Sequence, residues 1–86
     1  MKSDHWYLYV LLCSDGSYYT GVTVDVDRRL KEHNASKAGA KYTRSRRPVE
    51  LLFYEKFQTR STAQKAEYHF KKLTRKQKEK LINEHR

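Results

Sequence analysis

Five side chains in this 86-residue sequence are of types that could act together on a phosphate ester: the phenols of Tyr9 and Tyr19, the guanidinium of Arg29, the imidazole of His33 and the carboxylate of Glu67. Hydrolysis of a phosphodiester needs a deprotonated water in line with the leaving oxygen. It also needs stabilisation of the charge gathering on the phosphorane and neutralisation of the departing alkoxide. Arg29 suits the phosphate, because a guanidinium is always charged and donates a planar fork of hydrogen bonds that Lys cannot copy. Tyr9 or Tyr19 could serve as general base if nearby cations lower the phenol pKa from its ordinary value of about 10; the residues leave open which one. His33, with an ordinary pKa of about 6.5, could take a proton from that phenol or from water, or could orient phosphate.

The elements that must position these groups can be read along the chain. Trp6 to Cys13 is a continuous apolar and aromatic run of strand length, so it reads as a central strand covered on both faces. Ser14-Asp15-Gly16-Ser17 has turn chemistry, with Gly16 supplying a positive φ, and Tyr18 to Val22 returns as the antiparallel partner. Val26, Leu30 and His33 then recur at helical spacing behind an N-cap at Asp25, predicting a helix of about two turns. Asn34 to Pro48 loses apolar periodicity and carries Lys37, Lys41, Arg44, Arg46 and Arg47, which predicts a basic loop that includes Ser36. Val49 to Phe57 reads as a third strand. Ser61 with Gln64 fits a capping box ahead of the apolar stripe Ala63, Ala66, Phe70 and Leu73, and Thr74 with Gln77 fits a second box before a last helix docked by Leu81 and Ile82. The expected fold is α+β, a three-stranded antiparallel sheet with helices packed on it in the order ββαβαα.

Taken singly, each of the five has an ordinary explanation. Tyrosines in strands usually pack, Arg29 could be solvated, His33 could complement a helix C-terminus, and Glu67 could pair with Lys71 four residues on. Their joint arrangement changes that. Tyr7-Leu8-Tyr9, then Tyr19-Thr20-Gly21, Arg29 ten residues after Tyr19, His33 a helical turn later and Glu67 on the penultimate helix together resemble the GIY-YIG nuclease signature. The compact length, with Gly39-Ala40-Lys41-Tyr42-Thr43-Arg44 and Arg46-Arg47-Pro48, is similar to the short stand-alone bacterial branch of that superfamily. Tyr7 stands in place of the first glycine, Thr20 in place of an aliphatic residue, and Val22 where some members carry a lysine, so Lys41 is the candidate to take that lysine's part.

The resemblance implies a metal-dependent endonuclease acting on nucleic acid, DNA foremost, with Tyr9, Tyr19, Arg29, His33 and Glu67 catalytic. It also implies one Mg²⁺ or Mn²⁺ held by Glu67, substrate oxygen and water. Gly21 could let substrate approach the strand closely, or could mark a strand-ending bulge. Lys41, Tyr42, Arg44, Arg46 and Arg47 are the candidate substrate contacts, joined by helical cations from Lys71 to Lys80 that could equally form a solvated face. The alternative is a non-catalytic nucleic-acid binding module on the same fold.

Composition agrees with a polyanionic partner. Lys and Arg number 19 against 10 Asp and Glu, a formal charge of +9. Hydrophobic residues make up only 37%, but an aromatic share of 13% gives a small aromatic-rich core, and the length suggests one domain over residues 1–86. No apolar stretch approaches the roughly 20 residues of a spanning helix and no signal peptide is apparent, so the cytosol is expected. The single Cys13 can form neither an internal disulfide nor a thiolate zinc site. With little surface for reading sequence, a protein partner that supplies specificity is a further expectation.

Overall fold

The computed structural model describes residues 5–35 and 37–84; Ser36 of the expected loop lies outside them. Strands β1 (Trp6–Leu12) and β2 (Tyr18–Thr23) form an antiparallel hairpin that sets Tyr9 opposite Gly21 and Leu11 opposite Tyr19. Asp15 closes its turn by accepting from the Ser17 amide at 3.0 Å and the Ser17 hydroxyl at 2.6 Å, while Gly16 takes the expected positive φ of 84°. Strand β3 (Glu50–Phe57) pairs antiparallel with the other side of β1, giving the order β2-β1-β3 with β1 central.

Alternation along β1 sends Tyr9, Leu11 and Cys13 to one face and Leu8 and Val10 to the other, and both faces are covered. The Tyr9 face packs with Val49 and with Val26 and Leu30 of helix α1 (Val26–Ala35). One further turn of helix, α2 (Lys41–Arg44), lies in the stretch expected to be loop alone. The amide and hydroxyl of Thr43 both return to the Ala40 carbonyl, at 3.1 and 2.9 Å, a closure that apolar periodicity cannot signal. The opposite face packs Leu8, Val10 and Phe53 against Phe70 of α3 (Arg60–Lys71) and Ile82 of α4 (Arg75–Glu84). The architecture is therefore the α+β, ββαβαα arrangement, with helices on both sheet faces and α2 as a single inserted turn.

Local signals fixed most helix ends. The Arg28 amide donates to Asp25 Oδ1 at 3.0 Å, so Asp25 caps α1, which runs ten residues and exceeds the two turns expected. Its end is braced by Asn34, which donates to the Val49 carbonyl at 2.9 Å and accepts from the Val49 amide at 2.7 Å, tying α1 to the approach to β3. The box at Thr74 and Gln77 forms as expected. The box assigned to Ser61 and Gln64 does not: Thr59 caps α3 and pairs reciprocally with Thr62. Thr59 leaves β3 in extended conformation, so the chain can enter the helix two residues earlier than the Ser61 signal suggested.

Candidate active site

The centre of the site is a buried hydrogen bond between the hairpin and α1. The Tyr9 hydroxyl lies 2.8 Å from His33 Nε2, and His33 is fully enclosed. On the far side of the ring, His33 Nδ1 is 2.9 Å from Thr43 Oγ1. Because the Thr43 hydroxyl donates to the Ala40 carbonyl, its oxygen accepts from Nδ1–H, and Nε2 is left to accept from the Tyr9 hydroxyl. The Ala40 amide, 3.4 Å from Nδ1, is too distant to compete for that nitrogen. Thr43 thus selects the imidazole tautomer. It was not among the candidate site residues: it lies in the string over residues 39–44 that carries part of the resemblance, but its contact with His33 exists only once the loop folds back over α1.

Burial decides the proton affinities. It pushes the Tyr9 phenol up to about 12, outweighing the nearby Arg29 guanidinium that pulls the other way; the charges of Tyr19 and Glu67 add to the rise. The condition set for a simple general base, a phenol pKa lowered by neighbouring cations, is therefore not met at Tyr9: desolvation on the covered face is the larger effect. Burial likewise pushes His33 down to about 4, helped by the positive charges of Arg29 and Arg47 and opposed by Glu32. At neutral pH both partners are uncharged.

Tyr19 leans over the same group, with its ring centroid 5.1 Å from His33 and 6.4 Å from Tyr9. Arg29 is three-quarters covered and donates through Nη1 to Glu32 Oε1 at 2.9 Å and to the Ala38 carbonyl at 2.8 Å. Burial disfavours its charge, but the hydrogen bond to Glu32 and the nearness of the Tyr9 phenol more than offset this and hold its pKa above the ordinary value. The guanidinium is thus oriented beside the phenol before any ligand arrives. Tyr9, Tyr19, Arg29 and His33 form one contact group.

Glu67 stands outside that group but within its electrostatic reach, since its charge raises the Tyr9 pKa. It projects from α3, one residue past Ala66 of the apolar stripe, and its Oε2 lies 3.2 Å from Lys71 Nζ, the pairing that its spacing suggested. Among the described residues no three His, Cys, Asp or Glu side chains gather as a metal cage. One partly exposed carboxylate with hard oxygen donors fits Mg²⁺ or Mn²⁺, which keep most of their water and share substrate oxygen; it does not fit a closed zinc site.

Gly21 faces Tyr9 in the strand register, and a Cβ added there would stand 2.6 Å from the Tyr9 hydroxyl. The close approach that the missing Cβ allows is made by the Tyr9 ring, and the register irregularity lies elsewhere, between Val10 and Leu11 against β3. The loop cations differ in employment. Arg46 stacks 3.9 Å over the Tyr42 ring, donates to Asp15 Oδ2 at 2.9 Å and to the Tyr42 carbonyl at 2.8 Å, while Tyr42 packs on Tyr19 at 5.9 Å between centroids. Arg47 donates to the His33 carbonyl at the end of α1, and Arg44 to the Lys37 carbonyl. Lys41 is exposed.

Comparison with known proteins places this geometry in a family. Residues 5–80 match the GIY-YIG catalytic domain. The chain is 55% identical over 86 residues to a UPF0213 protein of Bacillus velezensis, covering 100% of this chain and 86% of that one. It is 61% identical over 83 residues to a UPF0213 protein of Enterococcus faecalis, covering 94% and 92%. The solution NMR structure of the UPF0213 protein BH0048 from Bacillus halodurans is similar with a TM-score of 0.60 at 49% identity, over 92% of this chain and 83% of that one. A second NMR structure, of a protein from E. faecalis, gives a TM-score of 0.66 at 57% identity over 96% and 88%. The matched region spans the hairpin, α1 and the helix carrying Glu67, and the chain belongs to the GIY-YIG catalytic domain family, a nuclease family, with strong similarity to the UPF0213 proteins.

Proposed function

We propose that the chain is a metal-dependent endonuclease that hydrolyses phosphodiester bonds in nucleic acid, DNA foremost, within the cytosol. The observation that carries this is the buried Tyr9–His33 hydrogen bond, with Arg29, fixed by Glu32 and the Ala38 carbonyl, close enough for its charge to act on the same phenol. As the Tyr9 oxygen takes a proton from the attacking water, its own proton passes to His33 Nε2, so no free phenolate accumulates. The imidazolium so formed keeps both N–H groups bonded, one to Tyr9 and one to Thr43. Burial raises the Tyr9 pKa and lowers that of His33, so a full transfer of the phenol proton to the imidazole is unfavourable in the free chain, and the proton has to move together with the attack. Substrate lowers part of that cost: burial is the main influence that holds the imidazole pKa down, and a phosphate against Arg29 offsets the positive charge that adds to it. Arg29 then serves the phosphorane with its remaining N–H groups.

Glu67 is the residue that would hold the cation. When bound there, a hard divalent ion supplies positive charge for the phosphorane and, by neutralising the carboxylate, removes one influence that raises the Tyr9 pKa. Lys41 is the exposed cation available for backbone phosphate beside the site, with Arg44 next to it.

Incubation with branched, flapped, single-stranded and duplex DNA in Mg²⁺ or Mn²⁺ tests the proposal. Cleavage that disappears in Arg29→Ala and Glu67→Gln while binding persists supports it, and intact substrates throughout with folded protein overturn it. The non-catalytic binding module is favoured by one observation, the ion pair in which Lys71 already occupies one oxygen of Glu67. A pure binder keeps its function in Glu67→Gln.

A further inference from the structure

A cavity opens on the same face of the sheet as the Tyr9 cluster. It measures about 320 Å³ and is lined by Tyr7, Asp25, Val26, Asp27, Leu51 and Tyr54, among others. That volume lies at the low end of the range for small-molecule sites. Its position is fixed by the strands: Tyr7 is two residues before Tyr9 and so shares its face, and Tyr54 sits directly opposite Tyr9 in the β1–β3 register. Its other wall is the start of α1, where the Arg29 amide donates to the Asp25 carbonyl at 3.0 Å. The start of α1 that lines the cavity is therefore one helical turn, roughly 5.4 Å of axis, before Arg29, whose guanidinium we assign to the scissile phosphate.

The lining is selective. Tyr7 and Tyr54 meet edge to face, with centroids 6.1 Å apart and planes at 66°, and Tyr54 is 58% exposed although it is a large aromatic on a small chain. Such a ring is an open surface for stacking. Its charged groups are two carboxylates, hydrogen-bond acceptors set in a chain of formal charge +9. Asp25 uses Oδ1 to cap α1, which leaves Oδ2, and Asp27 makes no hydrogen bond or ion pair among the described residues. Two carboxylates repel phosphate, so the occupant is not the nucleic-acid backbone. They accept from amino groups, and carboxylates pair with the exocyclic amine of cytosine in this way.

We infer that this cavity receives one unstacked, amine-bearing nucleobase of the bound strand, next to the phosphate to be cut, with Tyr54 and Tyr7 as stacking surfaces and Asp25 and Asp27 as acceptors. The inference rests on the nucleic-acid reading above and adds a substrate preference to it: a strand whose base is free to leave its stack, with cytosine or another amino base favoured over thymine. Extruding a base from a duplex costs a few kcal/mol, so loose or single-stranded segments would enter most easily.

The test uses the full chain with a chelator present, so that nothing is cut, and single-stranded oligonucleotides carrying 2-aminopurine at successive positions. One position is expected to be quenched on binding far more than its neighbours. Tyr54→Leu, at an exposed site, should abolish that quenching and weaken oligo(dC) binding roughly 5- to 150-fold, the scale of one lost base stack. Asp27→Asn should narrow the preference for oligo(dC) over oligo(dT). Equal quenching at every position overturns the inference, as does position-specific quenching that survives Tyr54→Leu. None of these readouts requires cleavage. A chain that discriminates bases but never cuts keeps the pocket and loses the nuclease reading, whereas one that cuts without discriminating loses the pocket alone.

Discussion

The hydroxyl of Tyr9 and Nε2 of His33 meet at 2.8 Å in the interior, joining the central strand to α1 through a single hydrogen bond between two uncharged groups. Removing one partner separates chemistry from stability. Tyr9→Phe keeps the ring but leaves Nε2 without a donor, which should cost about 1–3 kcal/mol in urea unfolding. Cleavage should fall by on the order of 10²- to 10⁴-fold, the usual contribution of a positioned proton-transfer group. A Phe variant that cuts at the parental rate would remove Tyr9 from the mechanism.

Thr43 should act through the His33 tautomer. Thr43→Val keeps the shape and deletes the hydroxyl that accepts from Nδ1–H, whereas Thr43→Ser retains it. Nitrogen NMR of the imidazole is expected to report Nδ1–H in the parent and in Ser, and a changed or mixed tautomer in Val. Cleavage should follow the same division. If Val and Ser behave alike in both measurements, Thr43 is only a packing residue.

Stability should depend on pH through His33. Burial holds its pKa at about 4 in the folded chain, against 6.5 ordinarily, so between those values the unfolded chain binds a proton that the folded chain refuses. The contribution is complete above about pH 6.5 and is lost as pH falls toward 4, by roughly 3 kcal/mol. Urea midpoints from pH 7.5 down to 4.5 should drop less steeply in His33→Gln than in the parent; parallel curves would contradict the assignment.

Gly21→Ala tests the fit of the phenol. The added methyl would collide with the end of the Tyr9 side chain, which can swing aside, so the fold should survive while the hydroxyl leaves His33. A displacement of about 1 Å can lower a rate on the order of 10²-fold. Circular dichroism should therefore stay native while cleavage falls, and unchanged cleavage would show that the hydroxyl position is not critical.

Lys41 and Arg46 should separate into contact and support. Lys41→Ala should lower the slope of log binding constant against log salt by about 0.7 to 0.9, one phosphate contact, with melting unchanged. Arg46→Ala removes the stack on Tyr42 and the link to Asp15, so melting should fall first. The opposite pattern, a salt-slope change from Arg46 with melting intact, would reverse the two roles.

The sequence by itself determined the elements and the spacing of the reactive groups. The run Trp6–Leu12 is apolar at consecutive positions because β1 is covered on both faces, and the Asp25 and Thr74 caps are local side-chain to backbone bonds that need only a few neighbouring residues. What the fold alone decided came from groups far apart in the chain. Asn34 bonding to Val49, Thr43 bonding to His33 and the extra turn at Lys41–Arg44 all require the loop to have folded back over α1 first. The same holds for Tyr9: nearby cations alone would lower its pKa, yet enclosure raises it to about 12. Desolvation depends on everything packed around a group, and that is set by the assembled sheet and helices, not by the residue's neighbours in sequence.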